Sequence, residues 1–499
     1  MEKLSMQDAT FLYSETDNVM NHIASLQHYQ LPEGVTPSEF VVSLRTYLLD
    51  RIHLLPYLTR KVKMMPGGLD HAVWVQDGNF DIHNHVVEVP LEAPGSFDQV
   101  QTKVAELHSE PLNRDMPLWC FYVMTGLEDG TVAYYARVHH ACVDGMAGQA
   151  MTFCLTDSTP EPIQHNCPED YVQTEDPTLS DLLSASFQNL IQFQSSALDR
   201  TMGMMMTATN LSQRAVDPSK HFGALIQPAP RTQLNHSIEK TRAYACAKLP
   251  FQDVRQIGKA MGASVNDVFL TICSGALSQY LSRRGELPET NLLAGCPVAV
   301  PRQGRIDQGN SVTLMTVDLF TTVEDPRIRL LRIKDSCQTA KDVAVDFADS
   351  LETNMSVLGL PALTRMASLF GEYSGAAEAM PVPFNVVISN VPGPRETLYC
   401  NGAEMLSHYP VSIPAHGLGL NITVQSYTNG LYVGLTACQK AVPDLADLRD
   451  DLVSAFTELK GLVVPATVSD ITEKQITQDK SEAQPSSEEA SADMGMQVA

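Results

Sequence analysis

The sequence is poor in positive charge. Its 34 Lys and Arg stand against 58 Asp and Glu, a formal net charge of −24. Binding a nucleic-acid backbone needs clustered basic side chains, so that class is disfavoured, although a local basic patch for an anionic cofactor is not excluded. No apolar run is long enough to span a bilayer. The first residues, MEKLSMQDATFLYSET, lack the basic start and apolar stretch of a secretion signal. The ten cysteines show no paired metal-type spacing. Reduced thiols in a cytoplasm account for them more simply than a secreted disulfide framework does. What is abundant is apolar material: 44% of 499 residues, enough for a large core and, by usual domain sizes, for two domains.

Along the chain, residues 1–60 read as mixed helical patterns with a short loop, LLPYL. HAVWVQDGNFDIHNHVVEVPL (71–91) contains strand-like pieces and a turn. Ser96 opens a helix whose apolar positions, Phe97, Val100, Val104 and Leu107, recur at three and four. CFYVM and TVAYYARVHH form two strands joined by LEDG. MAGQAMTFCL reads as a helix, and LSDLLSASFQNLIQFQSSALDR as another after a loop. In the second half, TRAYACAKL, TNLLAGCPVAV, SVTLMTVDLF, FNVVISNV and LNITVQSY read as strands alternating with helices. There is no tandem repeat. The expectation is an α/β or α+β chain with a sheet in each half. The polar, acidic end from Asp470 reads as a disordered tail.

VHHACVDGMAG (138–148) carries the first chemical signal. Neighbouring residues on a strand point to opposite faces, so His139 and His140 do not both serve one site unless the strand breaks there. That weakens a zinc reading, because ligands must converge and no third one stands at a familiar spacing. HHxxxD is also not the helix-borne HExxH arrangement. In a catalytic reading His140, neutral near pH 7, accepts a proton from a hydroxyl. Asp144 then fixes the ring or pairs with a buried basic group and holds the turn, and Gly145 allows a tight path into the next helix. The same two histidines read equally well as satisfied core residues at a strand end. Cys142 could act as a nucleophile partnered by His140; a small packing residue is the plainer account.

The second half offers MGASVNDVFLTICSGALSQYL (261–281). Ser264 and Asp267 have capping-box spacing, which explains Asp267 without chemistry. Asn266, in the first turn, could donate its amide toward an oxyanion or merely bond near the cap. In FNVVISNVPGPRE, Asn390 ends a strand and Pro392-Gly393-Pro394 impose a rigid turn, either a pocket wall or a structural corner. Gly417 and Gly419 permit close backbone contact with a ligand or another domain.

Taken together, LSMQDATFLY, PLW (117–119), HHACVDG (139–145), ASVNDVFL (263–270), NVPGP (390–394) and GLNITVQSY (419–427) resemble, in order, the bacterial wax ester synthase/diacylglycerol acyltransferase family. That family shares the fold of the chloramphenicol acetyltransferase-like, CoA-dependent acyltransferases. The resemblance covers residues 1 to about 460 and leaves out the acidic tail. It implies an α/β fold of two such domains, each a mixed β-sheet with helices, around an interdomain substrate channel. The divisions expected are 1–160 for the first domain, 161–238 for a crossover, 239–465 for the second domain and 466–499 for the tail. It implies His140 as general base, Asp144 as support for the turn and Asn266 as a stabiliser of developing negative charge. His139 is implied as the less essential histidine, and Pro117 and Trp119 as a substrate-side structural motif. The implied reaction moves a long-chain acyl group from acyl-CoA, a co-substrate, to a fatty alcohol or diacylglycerol, with no permanently bound cofactor and no metal. A small alcohol or amine acceptor, a hydrolase and a non-catalytic lipid-binding protein are the rivals. The expected location is cytoplasmic, with peripheral contact at the inner membrane or lipid inclusions. Met202, Met204, Met205 and Met206 are the apolar residues suggested for that contact.

Overall fold

The computed structural model describes residues 2–4, 6–65, 70–143, 145–168, 171, 178, 180–182, 184, 209, 214, 222–300, 311–355 and 361–463. Asp144, the Met202–Met206 segment, most of the 161–238 crossover and the acidic tail lie outside the described residues.

The first half contains β1 (Glu2–Lys3), α1 (Met6–Ser14), β2 (His22–Gln30), α2 (Pro37–Arg51), β3 (Arg60–Lys63), β4 (Val73–Gln76), β5 (Val86–Pro90), α3 (Phe97–His108), β6 (Trp119–Thr125), β7 (Val132–His139) and α4 (Gly145–Cys154). The second half opens with β8 (Arg242–Pro250), α5 (Phe251–Met261), α6 (Val265–Arg284), β9 (Leu293–Val300), β10 (Ser311–Asp318) and α7 (Pro326–Met355). It continues with α8 (Pro361–Ser374), α9 (Ala376–Ala379), β11 (Val386–Val391), β12 (Tyr399–Cys400), β13 (Ala403–Val411), β14 (Leu420–Tyr427), β15 (Gly430–Cys438) and α10 (Leu445–Val463). The first large sheet runs β12-β13-β2-β7-β6-β5 and the second β10-β9-β11-β14-β15-β8; β1, β4 and β3 form a small third sheet. Both large sheets are mixed: β5 lies parallel to β6, and β11 parallel to β9 and β14.

Two features depart from the sequence reading. Residues 1–60 are not only helical, because β2 is a nine-residue strand central to the first sheet. Its period is hidden because it buries polar side chains: His22, Gln27 and His28 are all nearly inaccessible. In addition, β12 and β13, drawn from sequence into the second domain, pair with the first sheet, so the halves are interlocked. Asp157 anchors that crossing arm. Its backbone exchanges two hydrogen bonds with Tyr399, at 2.7 and 2.8 Å. Its carboxylate accepts from Arg51 Nη2 at 3.0 Å and from Tyr47 OH at 2.8 Å. Both ionic partners are buried, so each neutralises a charge that would otherwise be costly there.

The crossing arm needs a close approach between the sheets. A Cβ on Gly434 of β15 would stand 1.8 Å from the Pro410 carbonyl oxygen of β13, so only glycine lets these backbones meet. In the second half α6 is buried along most of its length, including Val268, Phe269, Ile272, Ala276 and Tyr280. Ser264 caps it as expected, accepting from Asp267 N at 3.2 Å while Ser264 N donates to Asp267 Oδ2 at 2.8 Å. Among the described residues no single helix is long and apolar enough to cross a membrane.

Candidate active site

The strand β7 ends at the double histidine, and the alternation expected there is what separates the pair. His139 turns into the protein. Its Nδ1 accepts from Ala141 N at 3.0 Å, which leaves the proton of a neutral ring on Nε2. That nitrogen faces Glu15 Oε1 at 3.6 Å, an ion-pair distance but too long for a hydrogen bond. Glu15 is further held by Arg114 Nη2 at 2.5 Å and by Asn21 N at 3.1 Å. Burial alone would raise the Glu15 carboxyl, but His139 and Arg114 outweigh it and hold the group at about 2. His139 therefore belongs to a buried support.

His140 faces the other way. Its backbone N–H donates to Asn21 O at 2.8 Å. Its ring stacks on Phe11 of α1, with centroids 4.0 Å apart and planes 14° from parallel. Asn21 ties the two together, because its side-chain amide donates to Phe11 O at 2.6 Å and to Ser14 Oγ at 2.9 Å. His140 thus has a fixed backbone and one fixed ring face.

The open side of His140 lines a cavity of about 180 Å³ between the two large sheets. The first sheet contributes Ile23, Ser25, Ala136, Val138 and Pro410, and α4 contributes Met151 and Thr152. The second sheet contributes Ser389 and Val391 from β11 and Thr423 and Gln425 from β14. His408, on the crossing strand β13, lines it too. A mostly apolar wall with a few polar groups suits a lipid chain carrying one reactive oxygen.

The remaining sequence candidates are not gathered at this cavity. Asn390 Nδ2 donates to Asn266 Oδ1 at 3.3 Å. Ser389 and Val391 face the cavity, so Asn390, between them on the strand, faces away, and neither Asn266 nor Asn390 is among the lining residues. Asp267 completes the helix cap. Gly393 N donates to Ser426 Oγ at 2.9 Å, and a Cβ there would meet Ser426 O at 2.0 Å. Pro392 and Gly393 thus form a corner packed on the end of β14, and Val391 is the part of NVPGP that reaches the cavity. Trp119 lies in the first core, its Nε1 donating to Leu58 O at 2.8 Å and its ring stacked on His85 at 4.4 Å. Pro117 O accepts from Trp119 N at 2.8 Å. Gly145 is the first residue of α4. Burial pushes the Cys142 thiol far up, which favours packing over nucleophilic chemistry.

Sequence reasoning did not find Glu15, Asn21, Ser25 or His408. Phe11 and Gln425 lay inside quoted motifs without a role. For Ser25, His408 and Gln425 the signal is a polar residue within a strand, in HIASLQHYQ, AEMLSHYPV and LNITVQSY; Phe11, Glu15 and Asn21 lie outside strands and carry no such signal. Among the described residues no group of three His, Cys, Asp or Glu side chains could hold a metal ion.

Comparison with known proteins agrees with the geometry. Residues 4–269 match the wax ester synthase/diacylglycerol acyltransferase catalytic domain, and residues 308–460 the C-terminal domain of the same family. A putative diacylglycerol O-acyltransferase of Mycobacterium tuberculosis is 32% identical over 465 residues, covering 92% of this chain and all of that protein. A probable diacylglycerol O-acyltransferase of the same organism is 29% identical, covering 93% of this chain and 100% of that one. The solved wax ester synthase/diacylglycerol acyltransferase of Marinobacter aquaeolei VT8 superposes with a TM-score of 0.66 at 27% identity, covering 92% and 99% of the two chains. The starter condensation domain of rhizomide synthetase, solved in complex with C8-CoA and Leu-SNAC, shares the fold, with a TM-score of 0.53 at 13% identity over 93% and 95% of the chains. The chain is an acyltransferase and belongs to the wax ester synthase/diacylglycerol acyltransferase family.

Proposed function

We propose that the protein transfers a long-chain acyl group from acyl-CoA to the hydroxyl of a fatty alcohol or diacylglycerol, with His140 as general base. The observation that carries this reading is the division at the end of β7. His139 is turned into a buried ionic support, while His140, clamped by Phe11, faces a mostly apolar cavity between the sheets. In the reaction His140 takes the hydroxyl proton as the oxygen attacks the thioester carbonyl. Collapse of the tetrahedral intermediate breaks the carbon–sulfur bond, and the imidazolium returns the proton to the CoA thiolate. No acyl-enzyme is needed, because holding both substrates together supplies the orientation.

Asp144 keeps the role that the family resemblance implies, support of the turn after His140. The Asn266–Asn390 bond joins α6 to the NVPGP corner, which favours a positioning role for Asn266 over direct contact with the oxyanion. Peripheral lipid contact belongs to the same reading. On α8, Met366, Phe370 and Tyr373 are exposed at helical spacing and form one apolar stripe.

The test is CoA thiol release from palmitoyl-CoA with hexadecanol, with dipalmitoylglycerol and with no acceptor, the lipid product being identified. Acceptor-dependent ester formation is expected. His140→Ala should lower turnover by about a hundred-fold to ten-thousand-fold, the usual range for general acid–base help. Near-normal turnover in that variant would sink the role of His140. Release without acceptor would mark a thioesterase instead.

A further inference from the structure

The cavity has a polar end. Gln27 and His408 face each other across β2 and β13, and Gln425 reaches in from β14. Gln27 Nε2 lies 3.4 Å from His408 Nε2, and Gln425 Nε2 lies 3.3 Å from His408 Nδ1. Tyr29 OH donates to Gln27 Oε1 at 2.6 Å, and Gln27 Nε2 donates to Ser25 Oγ at 2.9 Å. Gln27, His408 and Gln425 are 5%, 2% and 8% exposed, so this is a buried chain bridging the two sheets.

The chain has at least one spare donor on Gln425, whichever way it runs. Burial pushes the His408 imidazole down to about 4, so the ring is neutral near pH 7. A neutral ring offers one N–H and one lone pair, so one amide must donate to it and the other must accept from it. If Gln425 accepts through its oxygen, both of its N–H groups remain. If Gln425 donates, one remains. Among the described residues His408 is the hydrogen-bond partner of the Gln425 side chain, and that side chain lines the cavity. A donor buried in an apolar wall without a partner is unfavourable, and a ligand oxygen at that point relieves it.

The position of the chain is equally informative. His140 is bonded to Asn21, and His408 is paired with Gln27, six residues further along β2. That spacing is about 20 Å of strand, on the scale of a lipid chain. Gln27 itself lines a second, smaller cavity of about 20 Å³, together with Tyr29, Phe121, Tyr134 and Leu155. The two cavities share Ala136, Met151 and Thr152 as wall. Gln27 therefore stands where the mostly apolar site would continue.

We propose that Gln27, His408 and Gln425 form the far end of the lipid-chain site, stopping an unbroken methylene chain and favouring one that carries an oxygen function, hydroxyl or carbonyl, at that depth. The inference rests on the acyl-transfer reading for which end of the cavity is reactive, but its test does not need turnover. Matched 1-alkanols and α,ω-diols, from octyl to hexadecyl, are measured for displacement of a fluorescent acyl probe from the full chain. At one chain length the wild type should prefer the diol by about tenfold or more, the value of one buried donor gaining a partner. Gln425→Met should remove that preference, with a circular-dichroism melt showing that the variant is folded. Gln27→Leu, which leaves the Gln425 donor in place, should keep the diol preference and let longer alkanols bind more tightly. A wild type that never prefers the diol, or a Gln425→Met protein that keeps the preference, overturns the proposal. Failure of the acyl-transfer reading would appear separately, as no CoA release by the wild type with any acceptor.

Discussion

At the scale of single residues, the opposite facings of two adjacent histidines follow from strand alternation, and the structure separates them as alternation requires. What alternation could not supply was the face. Nothing local to residues 384–396 says which side of β11 meets the cavity, and the side that does so carries Ser389 and Val391, not Asn390. Asn266 and Asn390 therefore share a bond of their own instead of joining His140. His408 was illegible for a different reason: it becomes a neighbour of His140's cavity only through pairing of β13 with β2, far apart in sequence. Phe11 offers the sharpest test of this residue-level geometry. Its ring stack fixes one face of His140, and such a pair is worth about 0.5–1.5 kcal/mol beyond area burial. Phe11→Leu should lower kcat roughly tenfold and leave KM for palmitoyl-CoA and the thermal midpoint nearly unchanged, whereas Phe11→Tyr should restore turnover. Steady-state kinetics with circular-dichroism melts decides it. Unchanged kcat in Phe11→Leu would mean the stack positions nothing.

At the scale of elements, the strands and helices with a clean period were legible. The helix from Phe97, the β6–β7 hairpin and the capped α6 all lie where spacing put them. β2 and β13 were not, because they bury polar side chains on both faces, His22, Gln27, His28, Ser407 and His408, which erases the apolar alternation. Element placement also depends on one close contact, between Gly434 of β15 and Pro410 of β13. Gly434→Ala puts a methyl onto a carbonyl oxygen between two sheets, and overpacking of this kind costs about 1–3 kcal/mol. Because Pro410 lines the cavity, the strain falls on the site as well. The expected result is a lowered melting temperature together with reduced CoA release. A variant with both unchanged would show that the sheets can part there at no cost.

At the scale of the whole molecule, the polar interior predicts sensitivity to mild acid. Of six buried histidines with depressed values among the described residues, four are lowered most, in each case first through burial: His28 and His408 to about 4, His108 to about 3, and His22 well below 6.5, where neighbouring His108 and Arg137 add to the effect. Below about pH 6.5 the unfolded chain binds a proton at each of these sites, while the folded chain does not until about pH 4 or lower. The unfolded state then holds more protons, so stability rises with pH across that window and is lost as pH falls through it. Each site contributes a slope of up to about 1.4 kcal/mol per pH unit. Glu15 adds to the loss in a lower window: its carboxyl, held at about 2 by His139 and Arg114 against the effect of burial, contributes stability that is lost as pH falls from 4.5 toward 2. The net charge of −24 pulls the other way, since acid relieves its self-repulsion. That repulsion is spread over the surface and screened within about 8 Å at physiological salt, whereas the buried imidazoles are not. The histidines should therefore win. At constant ionic strength near 0.15 M, the melting temperature should change little between pH 8 and 7 and fall clearly between pH 6.5 and 5. Replacing His28 and His408 with glutamine, which remains neutral throughout, should flatten that fall, and a wild type whose melting temperature holds steady from pH 7 to 5 would contradict the account.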